Sequence, residues 1–284
     1  MKNYSLYEKT YLEDKGFPLY VTRFFCDHYG PVFSAHWHEQ LEMLFFLEGK
    51  GVIECEAKSI DVAAGDIIIV NTNELHCGYC TEGPLIYDYI AVDPSLIKGS
   101  FDGNCEQKYI TPIAENLILF SNKISGSTTE VECIKGIASE YESKEPGFEL
   151  SIKSYVYRLL VLLLRNHVDR VLTQKEYKLR TQNLARLNQV LEFIERNYME
   201  KITIDQLTAI TCLSRDHFSH LFKKLTGRSV NEYINGMRID KAEMLIKNTD
   251  MNITEIAMAT GFNDANYFSR IFRKYKKTPP SAAR

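Results

Sequence analysis

The C-terminal third of this 284-residue chain contains one motif written twice. Asp216-His217-Phe218-Ser219-His220-Leu221-Phe222-Lys223-Lys224 and Asn266-Tyr267-Phe268-Ser269-Arg270-Ile271-Phe272-Arg273-Lys274 stand 50 residues apart, and every pair except His217/Tyr267 is identical or alike in character. Upstream, Ile204-Asp205-Gln206-Leu207 matches Ile253-Thr254-Glu255-Ile256 at an offset of 49, so the second copy has a turn one residue longer. A match of this length marks a duplicated supersecondary unit. The periodicity says which face each copy must bury. Phe218, Leu221, Phe222 and Leu225 fall at i, i+3, i+4 and i+7, and Phe268, Ile271, Phe272 and Tyr275 repeat the pattern. In the first unit, 205–211 is predicted as a short helix and Cys212-Leu213-Ser214 as a turn. Ser214 caps a second helix over 215–225, which Gly227 stops. In the second unit, 254–260 is the short helix, Gly261-Phe262-Asn263 the turn and Asp264 the cap. Both are helix-turn-helix units.

The residues left facing outward suit a DNA groove. In the first unit they are Asp216, Ser219, His220 and Lys223; in the second, Ala265, Asn266, Ser269, Arg270 and Arg273. A recognition helix meets base edges with its N-terminal half. Arg270 has the geometry to bond guanine in bidentate fashion, and Asn266 adenine. Lys223, Lys224, Arg273 and Lys274 come later, where phosphates lie. Between the units, 230–248 lacks proline and carries an apolar stripe of Met237, Ala242, Leu245 and Ile246. As a helix it spans ~28 Å, near the ~34 Å repeat of B-DNA. Charge agrees. From Gln182 onward the chain holds 16 of its 34 Lys+Arg and 11 of its 37 Asp+Glu, net +5, which leaves net −8 for the rest. A basic second half joined to an acidic first half suits a polyanion reader attached to a regulatory domain.

The first half has another texture. Short apolar runs at 18–25, 41–47, 51–55, 66–70 and 85–92 are separated by turn signals such as Glu48-Gly49-Lys50-Gly51, Ala64-Gly65-Asp66 and Glu82-Gly83-Pro84. Short strands so closely spaced predict an all-β barrel or sandwich. From Pro112 the period becomes helical: Ile113, Leu117, Phe120 and Ile124, then Val131, Ile134, Ile137 and Tyr141. Residues 150–166 form a helix apolar on more than one side, packed inside the domain or against a second subunit. Residues 168–181, rich in Gln, Lys and Arg, are expected as a connection. The domain boundaries follow as 1–170, a linker 171–182, and 183–284.

Residues 184–284 resemble the DNA-binding domain of AraC/XylS-type regulators. The resemblance is carried by LTAITCLSRDHFSHLFKKLTGRSVNEYI, MRIDKAEMLI and ITEIAMATGFNDANYFSRIFRKYKKTPPSAAR, with Ile256-Ala257, Gly261-Phe262, Tyr267-Phe268-Ser269-Arg270 and Phe272 the most diagnostic. It implies base contacts from Arg215, Asp216, Ser219 and His220, and from Ala265, Asn266, Ser269 and Arg270. Asp216 and Ala265 are poor base readers. The tail departs from the pattern: Lys277 replaces a usual Gly, Pro279 a Ser or Thr, and Ala283 an aromatic.

The N-terminal half resembles a cupin. Gly30, His36, His38, Glu42 and Gly49 fit G-x5-H-x-H-x3-E-x6-G. The second motif is looser: Gly65 and His76 are in place, while Asn71, Asn73 and Cys80 stand for Pro, Gly and Asn. In metal-binding cupins these three His and the Glu hold one metal. His36 and His38, two apart, share a strand face, with Glu42 further along it. Three imidazoles and a carboxylate suit Zn, Fe, Mn or Ni. In regulator cupins the same positions line a pocket for a sugar or other small effector, so His36, His38, Glu42 and His76 are candidates for either role. His76-Cys77-x-x-Cys80 invites a redox or metal role as well.

The fold expected is therefore α+β and multidomain: a cupin β-barrel with packed helices, then an all-α domain of two helix-turn-helix units on a linker helix. Composition is that of a globular protein, with 45% hydrophobic and 25% charged residues, which excludes a disordered or disulfide-scaffold chain. No apolar stretch approaches a membrane span, and the first residues have no signal-peptide core. The seven cysteines are expected as reduced thiols in a cytoplasmic protein. The function expected is a sequence-specific transcription regulator, an activator controlled by an effector in the barrel. The resemblance adds a homodimer paired through the 150–166 helix, and contact with RNA polymerase. The alternative is a metal-dependent cupin enzyme, a dioxygenase or isomerase, with an appended helical module. Outside the His/Glu set no catalytic triad or phosphate loop is present, so the chain is expected not to be an enzyme.

Overall fold

In a computed structural model of the protein, residues 17–56, 58–99, 103–125 and 128–283 are described. The chain divides between Gln182 and Asn183 into two compact units.

The first unit is β-rich. Its strands are β1 (Leu19–Cys26), β2 (Gly30–His36), β3 (Leu41–Cys55), β4 (Lys58–Ala63), β5 (Asp66–Val70), β6 (His76–Val92), β7 (Ile118–Phe120), β8 (Lys123–Ser125) and β9 (Val168–Val171). Seven make one antiparallel sheet ordered β1-β6-β3-β5-β8, with β2 added on β6 and β4 on β3; β7 and β9 pair separately. Side chains alternate between two cores. Met43, Phe45, Ile67, Ile69, Ile90 and Val92 pack outward beneath two helices, α1 (Thr128–Ser143) and α2 (Phe148–Asn166), against Ile134, Ile137, Ile152, Val156, Leu159 and Leu163. Leu44, Phe46, Ile53, Cys55, Ile68, Val70 and Tyr87 fill the interior. Glu42 shares the parity of Leu44 and Phe46, so it too points inward.

Three sequence expectations change here. The turn signals at 48–51 and 82–84 do not end strands: β3 and β6 run through them with shifted register, as long bent strands. At the bend Gly49 has φ +81°, and a Cβ there would overlap the backbone of Pro84, so glycine allows the two strands to approach. The helical stripe expected from Ile113 to Ile124 is a helical turn (Thr111–Ala114) followed by β7 and β8. Its apolar residues are buried by strand pairing, β8 on β5 and β7 on β9, which a local period does not reveal. The segment expected as a linker, 171–182, is mostly helical, within α3 (Gln174–Asn197). Thr173 and Glu176 close its N-terminus through reciprocal hydrogen bonds.

The second unit is helical: the rest of α3, then α4 (Ile204–Thr211), α5 (Arg215–Thr226), α6 (Val230–Asn248), α7 (Ile253–Ala259) and α8 (Ala265–Lys276). Thr203, Ser229 and Asn252 each form a complete capping box with the residue three ahead, which fixes the starts of α4, α6 and α7. No described helix is long and apolar enough to cross a membrane.

Candidate functional site

The duplicated motif forms two equivalent exposed helices. Ser214 caps α5 by accepting from the His217 amide (3.4 Å), and Asp264 caps α8 by accepting from the Tyr267 amide (2.5 Å). Phe218, Leu221, Phe222 and Leu225 of α5 are buried; on α8, Phe268 and Phe272 are buried, and Ile271 and Tyr275 half-buried. The opposite faces are open. Arg215, Asp216, Ser219, His220 and Lys223 are exposed on α5; Asn266, Arg270 and Arg273 are exposed on α8, and Ala265 and Ser269 half-buried. Each helix ends in basic residues, Lys223 and Lys224 on α5, and Arg273, Lys274 and Lys276 on α8. An open cleft of about 700 Å³ beside α8 is lined by Ser269, Arg270, Arg273 and Lys274 on one side and Pro279, Pro280 and Ser281 on the other.

Two contacts in this unit add to the sequence reading. Arg215 is held in a bidentate pair by Asp205 of α4, Nε to Oδ1 at 2.7 Å and Nη2 to Oδ2 at 2.5 Å. Its fork is occupied, so it differs from Arg270, which lies 5.3 Å from the Tyr267 ring centroid in a cation–π contact. Tyr267 was not among the candidates. Its hydroxyl also accepts from Asn235 Nδ2 of α6 at 3.4 Å, so it links Arg270 to the connecting helix. The i, i+3 spacing of Tyr267 and Arg270 was the signal available for it.

α6 grips both units. Tyr233 meets Phe222 of α5 edge to face at 5.6 Å. Tyr275 Oη of α8 donates to Glu232 O (2.9 Å), and Lys276 Nζ reaches Asp240 (2.7 Å) and Glu243 (2.6 Å). Ile239, Ala242 and Ile246 are buried against Ile256, Phe268 and Phe272. Gly261 opens the second turn with φ +84°, and a Cβ there would press on the backbone of Met199 at 2.7 Å. Lys277, standing where glycine is usual, ends α8 in the left-handed region at φ +62°.

In the β-rich unit, the four ligand candidates come together. One ligand atom from each of His36, His38, Glu42 and His76 lies within 4.8 Å of the others. β2 supplies His36, β3 supplies Glu42, β6 supplies His76, and His38 stands in the β2–β3 connection. His38 Nε2 is 2.7 Å from Glu42 Oε2, and His76 Nε2 is 3.4 Å from the same oxygen. Each ring turns its other nitrogen to a backbone carbonyl: His36 Nδ1 to Ser34 O (2.8 Å), His38 Nδ1 to Gln40 O (3.2 Å), His76 Nδ1 to Glu74 O (2.9 Å). A nitrogen facing a carbonyl carries the proton, which leaves Nε2 as the ligand atom of a neutral ring. These carbonyls are invisible in a sequence motif. His38, Glu42 and His76 are each 1% exposed, and His36 is half-buried.

Electrostatics tie the cluster together. Burial works against an ionised Glu42, but the charge of His76 and the hydrogen bond from His38 hold the carboxyl below its usual range. Burial likewise pushes His76 down, and Glu42 more than reverses this, so His76 stays above the ordinary imidazole value. His36 falls to about 3 through burial and the charge of His76. His76 Nε2 is buried and has no hydrogen-bond partner. An orphaned imidazole nitrogen converging with two more imidazoles and a carboxylate fits a divalent transition metal.

The departures from the second cupin motif have structural reasons. Asn71 is buried and clamps β7, accepting from Phe120 N (2.7 Å) and donating to Phe120 O (3.0 Å) and Glu74 Oε2 (3.0 Å). Asn73 takes the positive φ (+56°) that a glycine would. Cys77 and Cys80, three apart on β6, lie on opposite faces of the strand and do not converge on one ion, which removes the C-x2-C metal reading.

Comparison with known proteins adds the following. A helix-turn-helix domain family matches residues 207–284, and the AraC-like ligand binding domain family matches residues 18–160, half of the chain. The HTH-type transcriptional regulator YdeC of Bacillus subtilis is 24% identical over 250 residues, 86% of this chain and 84% of its own length. The Msm operon regulatory protein of Streptococcus mutans is 24% identical over 267 residues, 91% of either chain. The HTH-type transcriptional activator RhaS of an Enterobacter species is 23% identical over 256 residues, 85% of this chain and 84% of its own.

Proposed function

Because this chain belongs to the AraC family of transcriptional regulators, we propose that it activates transcription by laying α5 and α8 in successive major grooves, under the control of a small molecule bound beside a metal in the β-rich unit. DNA binding and effector control come with the family. The proposal concerns the residues, the metal and the direction of control. The observation that carries the DNA contact is the repeated open donor face, Ser219 and His220 on α5 and Asn266 and Arg270 on α8 with half-buried Ser269 between them, held on one connecting helix. Asn266 and Arg270 specify bases; Lys223 and Arg273 bind phosphate. Arg215 also pairs with Asp205 and so braces α4 against α5. That RhaS is named an activator supports activation here.

His36, His38, Glu42 and His76 would hold the ion, and such an ion supplies a Lewis-acid anchor for an oxygen-rich ligand such as a sugar. The protein acts in the cytoplasm as a homodimer and meets RNA polymerase from its DNA site. Selection of bound fragments from random duplexes, followed by footprinting, tests the DNA reading. For each subunit, two protected patches one helical turn apart on the same side of the duplex are expected. One protected patch, or none, would sink it. Elemental analysis of the purified protein tests the metal reading, with about one transition metal per chain expected.

A further inference from the structure

Strands β1 and β2 are joined by Asp27, His28 and Tyr29, all exposed. Cys26, the last residue of β1, lies opposite Leu85 of β6, and Gly30, the first of β2, lies opposite Cys80 of the same strand. β6 bends between these positions, at exposed residues 81–84. The bend brings the two thiols together. Cys80 lies near enough to Cys26 to feel its charge, and a Cβ built on Gly83 would lie 3.5 Å from Cys80 Sγ and 3.8 Å from Cys26 O. Cys26 Sγ is 3.6 Å from His28 Nδ1 and 3.3 Å from His28 O. His28 Nδ1 is also 3.6 Å from Asp27 Oδ1, and the His28 side chain is 65% exposed. Cys26 and Cys80 are 5% and 3% exposed, at the edge of the interior core that contains Leu85 and Tyr87.

We propose that Cys26 and Cys80 are a peroxide-reactive thiol pair that closes to a disulfide, with His28 taking the proton from Cys26. Two thiols and an adjacent imidazole that is itself exposed are the parts such chemistry needs. Cys26 sulfur attacks one oxygen of hydrogen peroxide. An S–O bond forms and the O–O bond breaks. The departing hydroxide takes the proton that His28 received and leaves as water. Cys80 sulfur then attacks Cys26 sulfur; the S–S bond forms, the S–O bond breaks, and the Cys80 proton leaves with the second water. Two thiols lose two electrons, and one peroxide becomes two waters. Burial raises the Cys80 thiol, with Cys26 adding to the effect, which suits the second thiol rather than the first. The product pins the β1–β2 turn to β6, the strand that carries His76.

Neither the metal nor the effector enters this proposal, so it stands or falls apart from them. Reduced full-length protein is treated with an equivalent of hydrogen peroxide, then unfolded, alkylated with iodoacetamide, digested and weighed. The expected product has two thiols of the seven protected and a cross-linked peptide pair containing Cys26 and Cys80. Cys80→Ser should stop at a sulfenic acid on Cys26, captured by dimedone, and His28→Gln should slow thiol loss on the order of a hundredfold. A link between Cys55 and Cys77 instead, oxidation confined to Cys105 or Cys212, or full alkylation after peroxide would overturn the pair.

Discussion

Glu42 is the only carboxylate among the four converging groups. It accepts from His38 and faces the orphaned nitrogen of His76, and all three side chains are buried. Glu42→Gln keeps the shape and removes the charge, so metal content should fall from about one ion per chain to a small fraction of that, by elemental analysis, with far-ultraviolet dichroism unchanged. The pH dependence has a definite sign. His76, held above the ordinary imidazole value, must lose its proton to ligate. Zinc affinity therefore rises with pH until His76 is deprotonated and then levels off, by up to about tenfold per pH unit for each proton displaced; calorimetric titration in two buffers would count the protons. On α8, Arg270→Ala should cost about 1–3 kcal/mol of discrimination at one base pair. An equal loss across all sequences would make Arg270 a phosphate contact instead. The convergence of the four side chains was legible because their spacing is a motif. The carbonyls of Ser34, Gln40 and Glu74 that turn the rings were not, nor was the capture of Arg215 by Asp205, since both depend on how the chain folds back.

Helix ends were the most legible elements. Ser214, Asp264 and Gly227 act where sequence placed them, and α6 spans the residues expected. Amphipathic spacing and caps are local, so a local pattern suffices. Ile113 to Ile124 misled for the opposite reason: its apolar residues keep a helical spacing by coincidence while their partners sit on β5 and β9, about 50 residues away on either side. Two substitutions separate backbone strain from packing. Lys277→Gly relieves a left-handed residue and should stabilise the C-terminal unit by ~1 kcal/mol. Gly261→Ala forces a Cβ onto Met199 at positive φ and should destabilise it by about 2 kcal/mol or more. Urea unfolding of the full chain, followed by the helical signal, would order them.

At the scale of the molecule, the charge split anticipated the division of labour, and the boundary at Gln182/Asn183 falls where the composition changes. The exposed side of α2 carries Leu150, 75% exposed, and Val161, 41% exposed, amid Ser154, Arg158 and Arg165. If this is where two copies pair, Leu150→Glu with Val161→Glu should convert dimer to monomer in sedimentation equilibrium, with the fold intact.

The grip of α6 on both neighbours has a consequence for any promoter this protein governs. The contacts of Tyr233, Tyr275 and Lys276 with α6 or its neighbours resist any lengthening or swivelling to suit a misplaced partner. A mutated letter within one half of its target would weaken a grip, whereas a single base inserted between the halves would swing one half about a tenth of a turn out of phase. Such targets are free to drift in spelling over evolutionary time but not in length.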